Sequence, residues 1–376
     1  MLSNFLCSIN FMSLLTTTSS YVIATFGSSH GAAGFAASII VAGALTARLL
    51  AVRYSLAVGY KRMLVLGMIV VVISSFLYLA ADNFLLFCII RFVNGFAFGV
   101  SMNTTITIVA TIIPKNRSGE GVGYFSMSQI VGTAIGPYFA IQMLHSGGMN
   151  GVFLLAAIAP AIALPLFPFL KITPSDEEET LDDASLPLFD KLIERKVLPI
   201  SAICLLVYFG FSSVLSFVAV FTTEIGLERT ASYIFVIYAI TLVVSRPFVS
   251  KLFDKRGPDI ILYPGIALLA TGLLVLSQTG SDLSLIISSA LFGVGLGAVQ
   301  VGTLALVVDI VPRHRLAVAN ATYYMSLDGA TAIGPVFAGM LIAPFGFRGM
   351  YLTMFVIIAC CIPLYRLLSS RLKEAR

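Results

Sequence analysis

The chain has 376 residues, 58% of them hydrophobic and only 11% charged, with a mean hydropathy of +0.99 and a formal net charge of +5 at pH 7. A water-soluble globule carries about 25% charged residues, so this composition excludes one and places the chain in a bilayer. A spanning helix needs roughly 20 apolar residues whereas barrel strands alternate over about 10, and the long unbroken apolar runs therefore exclude a barrel and predict an all-α membrane protein.

In chain order, spans are expected at 4–26, 32–54, 61–81, 84–113, 118–144 and 151–170, then at 197–224, 232–253, 259–279, 283–311, 317–342 and 346–369. These are twelve transmembrane helices in two pseudo-symmetric six-helix bundles, one over 1–170 and one over 197–376. Residues 171–196 lie between them and contain Pro174, the acidic run Asp176 to Glu179, Asp182, Asp183 and then Lys191, Arg195 and Lys196. That composition predicts a solvated cytoplasmic linker with one amphipathic surface helix.

The two halves repeat each other at a constant offset of 198 residues. Arg48, Gly59, Gly67, Gly95, Gly99, Pro114, Arg117, Met127, Ser128, Gly136, Pro137 and Ala140 recur as Arg246, Gly257, Gly265, Gly293, Gly297, Pro312, Arg315, Met325, Ser326, Gly334, Pro335 and Ala338. Apolar spacing repeats by chance; glycines, prolines and loop arginines in register point to duplication.

Lys and Arg near span ends are retained on the cytoplasmic side. If the even-numbered connections and the C-terminus share one side, they hold 20 of the 23 basic residues, including the set from Arg246 to Arg256; Arg229 and Arg348 fall opposite, and Arg91 lies inside a span. Both termini are thus expected in the cytoplasm of a cell-membrane protein, and the net charge reflects topology and needs no nucleic-acid partner. The chain opens almost inside its first span, so neither a cleavable signal nor a basic leader is expected.

Cys7, Cys88, Cys204, Cys360 and Cys361 all lie in apolar spans, where cysteine acts as a small hydrophobe, and predict no disulfide framework. His30, His145 and His314 lie in three separate connections without metal-ligand spacing. With no nucleophile elbow, phosphate loop or carboxylate pair, neither an enzyme nor a cofactor is expected.

Chemistry then rests on charges at bilayer depth, each costly unless paired or wet. Arg91 lies about two turns into the fourth span and Asp328 near the middle of the eleventh; the repeat sets Ser289 and Ile130 against them, so neither charge is shared by both halves. Low dielectric favours the neutral form of a carboxyl, which suits Asp328 to taking up and releasing a proton. The structural alternative is a permanent hydrogen bond to a neighbouring helix.

Six-plus-six spans, a cytoplasmic central loop and a repeated Arg-rich connection after spans two and eight resemble the major facilitator superfamily over essentially the whole chain. The family's Gly-x-x-x-Asp-Arg-x-Gly-Arg-Arg connection is split here. The second half keeps Asp254-Lys255-Arg256-Gly257, while the first keeps Gly59-Tyr60-Lys61-Arg62 but has Leu56-Ala57 where Asp-Arg would stand. The resemblance implies gating roles for Lys61, Arg62, Asp254 and Arg256, with Asp254 as the surviving latch carboxylate.

Arg91-x-x-Asn94-Gly95 is similar to the family's Arg-x-x-Gln-Gly motif, which implies proton coupling by Arg91, beside the candidate proton carrier Asp328. Gly123, Gly132 and Gly136-Pro137 in the fifth span match the pattern of the family's drug:proton exporters, with Ala140 at the last small position. Gly132 and Gly136 lie one turn apart and permit close helix approach, and Pro137 removes a backbone donor; the same residues suit ordinary small-residue packing. The family arrangement, with spans 1, 2, 4, 5, 7, 8, 10 and 11 around a central path, implies substrate contacts at Asn94, Asn103, Gln129, Tyr208, Phe209, Tyr238, Gln300, Tyr323 and Tyr324, beside further polar or aromatic positions at Asn10, Thr17 and Phe211. Such a lining suits an amphipathic or weakly cationic organic molecule.

The expected function is export of a small amphipathic or drug-like molecule in exchange for protons, by a monomer. Proton symport of a sugar or organic acid, uncoupled facilitation, and a non-transporting receptor or scaffold are the alternatives.

Overall fold

The computed structural model describes residues 1–112, 118–169, 193–312 and 315–374. Among these the chain is helical, with no strand. In the N-terminal half, α1 (Leu2–Phe26), α2 (His30–Val58), α3 (Tyr60–Leu77), α4 (Phe84–Ile112), α5 (Ser118–Gly147) and α6 (Met149–Ala163) follow one another, α3 ending in a 3-10 turn over Tyr78–Ala80 and α6 running on as 3-10 helix over Leu164–Phe169. A short 3-10 turn at Arg195–Val197 then leads into α7 (Leu198–Glu224), α8 (Glu228–Arg256), α9 (Asp259–Ser277), α10 (Asp282–Ile310) and α11 (Leu316–Glu374). α11 is broken at Gly346 (φ 67°, ψ 178°), which divides it into 316–345 and 347–374. Ten of these stretches are long and apolar enough to cross a bilayer.

The acidic linker expected at 171–196 lies outside the described residues up to 192. Its end does not behave as a solvated strand of chain. Glu194 is buried: Oε2 accepts from Arg315 Nε at 2.7 Å, Oε1 accepts from the Lys196 backbone N–H at 3.3 Å, and its own backbone N–H donates to Thr322 Oγ1 at 2.9 Å. A carboxylate leaves water only with such partners, and this one caps the turn that starts α7 while holding the connection before α11.

The chain forms two compact units, Met1–Glu179 and Thr180–Arg376. In the first, α1 packs on α5 and α2 on α4; in the second, α7 packs on α11 and α8 on α10. Lipid gives apolar side chains no reason to leave it, so helices associate where small residues let backbones close in. A Cβ on Gly95 would stand 1.8 Å from the Ile40 carbonyl oxygen, and one on the repeat-related Gly293 would stand 2.3 Å from the Tyr238 carbonyl oxygen. These contacts seat α4 on α2 and α10 on α8.

Many hydroxyls within spans donate back to the carbonyl one turn earlier, such as Thr17 Oγ1 to Ser13 at 2.8 Å and Thr105 Oγ1 to Ser101 at 2.7 Å. The corners use glycine. Gly59 (φ 84°) and Gly257 (φ 79°), like Gly148 (φ 71°) and Gly346 (φ 67°), occupy the left-handed region that a Cβ disfavours.

Candidate functional site

In the first unit, Arg91 is fully buried on α4. Its Nε donates to the Ala36 carbonyl at 2.5 Å and Nη2 to that of Ala37 at 3.4 Å, while the guanidinium carbon lies 5.7 Å from the Phe87 ring centroid. Tyr78 lies beside it, and Nη1 has no hydrogen-bond partner. No carboxylate pairs with Arg91 among the described residues.

Asn94, expected to touch substrate, is also fully buried, and its amide nitrogen serves Ser74 Oγ at 2.8 Å, Ser75 Oγ at 3.1 Å and the Val71 carbonyl at 3.2 Å. Asn10 extends the network, donating to Ser75 Oγ at 2.8 Å and to the Ala156 carbonyl at 2.6 Å. Asn94 is therefore a brace from α4 to α3. Asn103 is half-buried, with its amide nitrogen buried and unbonded, and Gln129 is exposed.

The α1–α5 seam carries the expected glycines. Asn4 Nδ2 donates to Ser128 Oγ at 2.9 Å, a Cβ on Gly132 would lie 2.7 Å from Ser8 Cβ, and one on Gly136 would lie 2.9 Å from the Ile9 carbonyl oxygen. Pro137 lies inside α5 just beyond. The surroundings of Gly123 and the side chain of Asp254 lie outside the described residues. Arg62 and Arg256 are exposed and Lys61 is half-buried.

In the second unit, α7, α8, α10 and α11 bring most of the remaining expected positions together. Tyr323 is fully buried, its hydroxyl 3.0 Å from Thr303 Oγ1, and Tyr324 packs edge-on against it at 5.3 Å. Phe209 packs on Phe337 at 5.4 Å, and Tyr238 on Phe211 at 5.5 Å. Asp328 is half-buried, one helical turn beyond Tyr324. Gln300 accepts at Oε1 from Arg246 Nη2 at 2.8 Å. The Arg246 charge also reaches Tyr208 and Tyr238, and Tyr208 in turn lies within electrostatic reach of Tyr238, Cys204 and Tyr324.

Arg246 is what the sequence reading missed. It was counted among the basic residues flanking the connection after span eight, yet it lies ten residues before the Arg256 end of α8, roughly 15 Å along the helix axis. The signal was its place inside the expected 232–253 span. A separate groove of about 300 Å³ in this unit, lined by Ile193, Leu198, Ser201, Leu205, Thr322 and Met325, involves none of the expected substrate positions.

Long apolar helices in two units, with cations and amides within them, define a polytopic membrane protein of the kind that carries solutes. The sequence profile of the Major Facilitator Superfamily matches residues 1–283 and 228–376, and the chain belongs to that family. It is 25% identical over 305 residues to an uncharacterized MFS-type transporter of Methanocaldococcus jannaschii, covering 78% of this chain and 77% of the relative. It is likewise 25% identical over 303 residues to the multidrug resistance protein MdtG of Dickeya zeae, covering 78% and 74%. The crystal structure of the nucleoside transporter NupG has the same fold, with a TM-score of 0.80 at 14% identity over 97% of each chain. The family and its neighbours are membrane transporters and not enzymes.

Proposed function

We propose that the protein exports a small amphipathic organic molecule in exchange for protons, by alternating access. The observation that carries the reading is the α1–α5 seam, in which Gly132 and Gly136 hold the two backbones at a distance no side chain would allow, just before Pro137. This is the exporter-type glycine pattern put to physical use: where the glycines face α1, the helix pair can slide or tilt with fewer interdigitated side chains to unlock. Relatives named as multidrug resistance proteins support the same reading.

In this mechanism Asp328 takes up and releases the proton, and Arg91 couples to it as a buried cation. Asn103, Gln129, Tyr208, Phe209, Tyr238, Gln300, Tyr323 and Tyr324 line the substrate path, and Asn94 holds α4 in place. The working form is a monomer of twelve spans in the cell membrane, its two halves related by the duplication, with both termini and the 171–196 linker in the cytoplasm; Asp254 and Arg256, with Lys61 and Arg62, latch the cytoplasmic ends. Inverted membrane vesicles energised to acidify their interior test direction and coupling together. They accumulate substrate if the protein exports by proton exchange, and accumulation stops with a protonophore. Uptake by right-side-out vesicles under an inward proton gradient instead makes it a symporter.

A further inference from the structure

We infer that Arg246 and Gln300 form an acceptor-binding subsite in the second unit, and that the transported molecule is an aromatic or amphipathic compound bearing a carboxylate or an equivalent anionic group. The inference rests on the transport reading and names the substrate class.

Arg246 presents a planar guanidinium with five N–H donors and no acceptor. A guanidinium at this depth is costly unless something compensates it, and what it has is a neutral amide: Nη2 donates to Gln300 Oε1 at 2.8 Å. Its Nε is buried and has no hydrogen-bond partner, and no carboxylate pairs with it among the described residues.

The orientation of the amide matters. Because Gln300 turns its oxygen to Arg246, its NH2 group is left as a donor, so the free N–H groups of the pair outnumber the one lone pair that the amide oxygen keeps. A group that completes it has to bring acceptors, and a planar carboxylate fits a guanidinium fork best. Around the pair, Tyr208 and Tyr238 lie within the field of Arg246, and Phe211 extends the aromatic surface from Tyr238 at 5.5 Å. Rings of this kind take an apolar body, while Arg246 and Gln300 fix the end that carries charge. The weakly cationic side of the sequence expectation came from setting one carboxylate, Asp328, among aromatic and amide groups, with Arg246 counted only toward the basic connection.

The test uses three probes with one aromatic body: 1-naphthoate, the neutral 1-naphthamide and the cationic 1-naphthylmethylammonium. Equilibrium dialysis against the purified full-length protein is expected to rank naphthoate first. Arg246→Ala weakens naphthoate about tenfold or more, the scale of a lost charged hydrogen bond, and leaves the cation within about twofold. Gln300→Glu keeps the hydrogen bond, places a counter-charge on Arg246 and reverses the ranking in favour of the cation. A wild-type protein without preference for naphthoate overturns the assignment, as does equal weakening of all three probes by Arg246→Ala, the mark of a simple brace between α8 and α10. Should Arg246→Ala fail to fold, Gln300→Glu decides alone, and an unchanged ranking overturns the assignment. Charge-selective binding without flux of any probe in proteoliposomes sinks the transport reading and leaves the subsite standing; intact proton-driven flux with selectivity indifferent to both variants does the opposite.

Discussion

Ser13 Oγ on α1 donates to the Gly136 carbonyl oxygen on α5 at 3.0 Å, across a seam where a Cβ on Gly136 would also meet the Ile9 Cα at 3.1 Å. The hydrogen bond and the missing side chain belong together: only glycine brings the carbonyl within reach of a serine on the next helix.

Gly136→Ala would place its Cβ 2.9 Å from the Ile9 carbonyl oxygen, so the α1 backbone has to give way, and transport falls by less than with a larger side chain. Gly136→Leu forces the helices apart at a cost of about 1–3 kcal/mol; the protein still reaches the membrane, and turnover falls about tenfold or more. Initial transport rates normalised to the amount of protein in the membrane read both effects, and near-normal turnover by Gly136→Leu rules the close seam out of the transport cycle.

Asp328→Asn keeps the size of the side chain and removes its proton. Transport driven by an imposed pH gradient is lost in proteoliposomes, while exchange of labelled for unlabelled substrate at equal pH persists. Full pH-driven transport by the variant removes Asp328 from the mechanism.

Glu194 and Arg315 give a stability prediction. Removing one member of a buried pair costs about 3–5 kcal/mol, and about 2 kcal/mol is expected here because the Arg315 side chain stays 22% exposed. Thermal midpoints of Glu194→Ala, Arg315→Ala and the double variant in detergent should show the double variant less destabilised than the two losses combined. Strict additivity would mean that the pair carries no coupling.

Asn94→Ala removes the donor to Ser74 Oγ, while Ser75 Oγ keeps Asn10 and the Val71 carbonyl keeps the two serine hydroxyls, costing about 1–3 kcal/mol. The loss appears in the thermal midpoint and leaves the KM for substrate within about twofold. A large change in KM with unchanged stability returns Asn94 to the substrate path.

The positions of the helices were legible because lipid forces long apolar runs, and Arg91 was legible because a charge in such a run stands out. What a side chain faces was not. Arg91 and Asn94 are three residues apart on α4, yet one reaches the α2 backbone and the other the α3 hydroxyls; sequence gives their spacing and leaves open which neighbour lies on each side. Arg246 was hidden by its nearness to a basic connection, since counting charges near span ends treats a half-buried arginine within a span and a solvated one alike. Glu194 was hidden in the same way by the acidic residues before it, and only the fold brings Arg315 to it from 121 positions away.

Gly59, Gly148, Gly257 and Gly346 have nothing within 4 Å of where a Cβ would stand, so space is not what keeps side chains off these corners. The obstacle is chirality, because an L-residue is strained at a φ of 67° to 84° wherever its side chain points. The 198-residue offset thus pairs two points of achirality, Gly59 with Gly257 and Gly148 with Gly346, and a mutational scan there would find even alanine poorly accepted despite ample room.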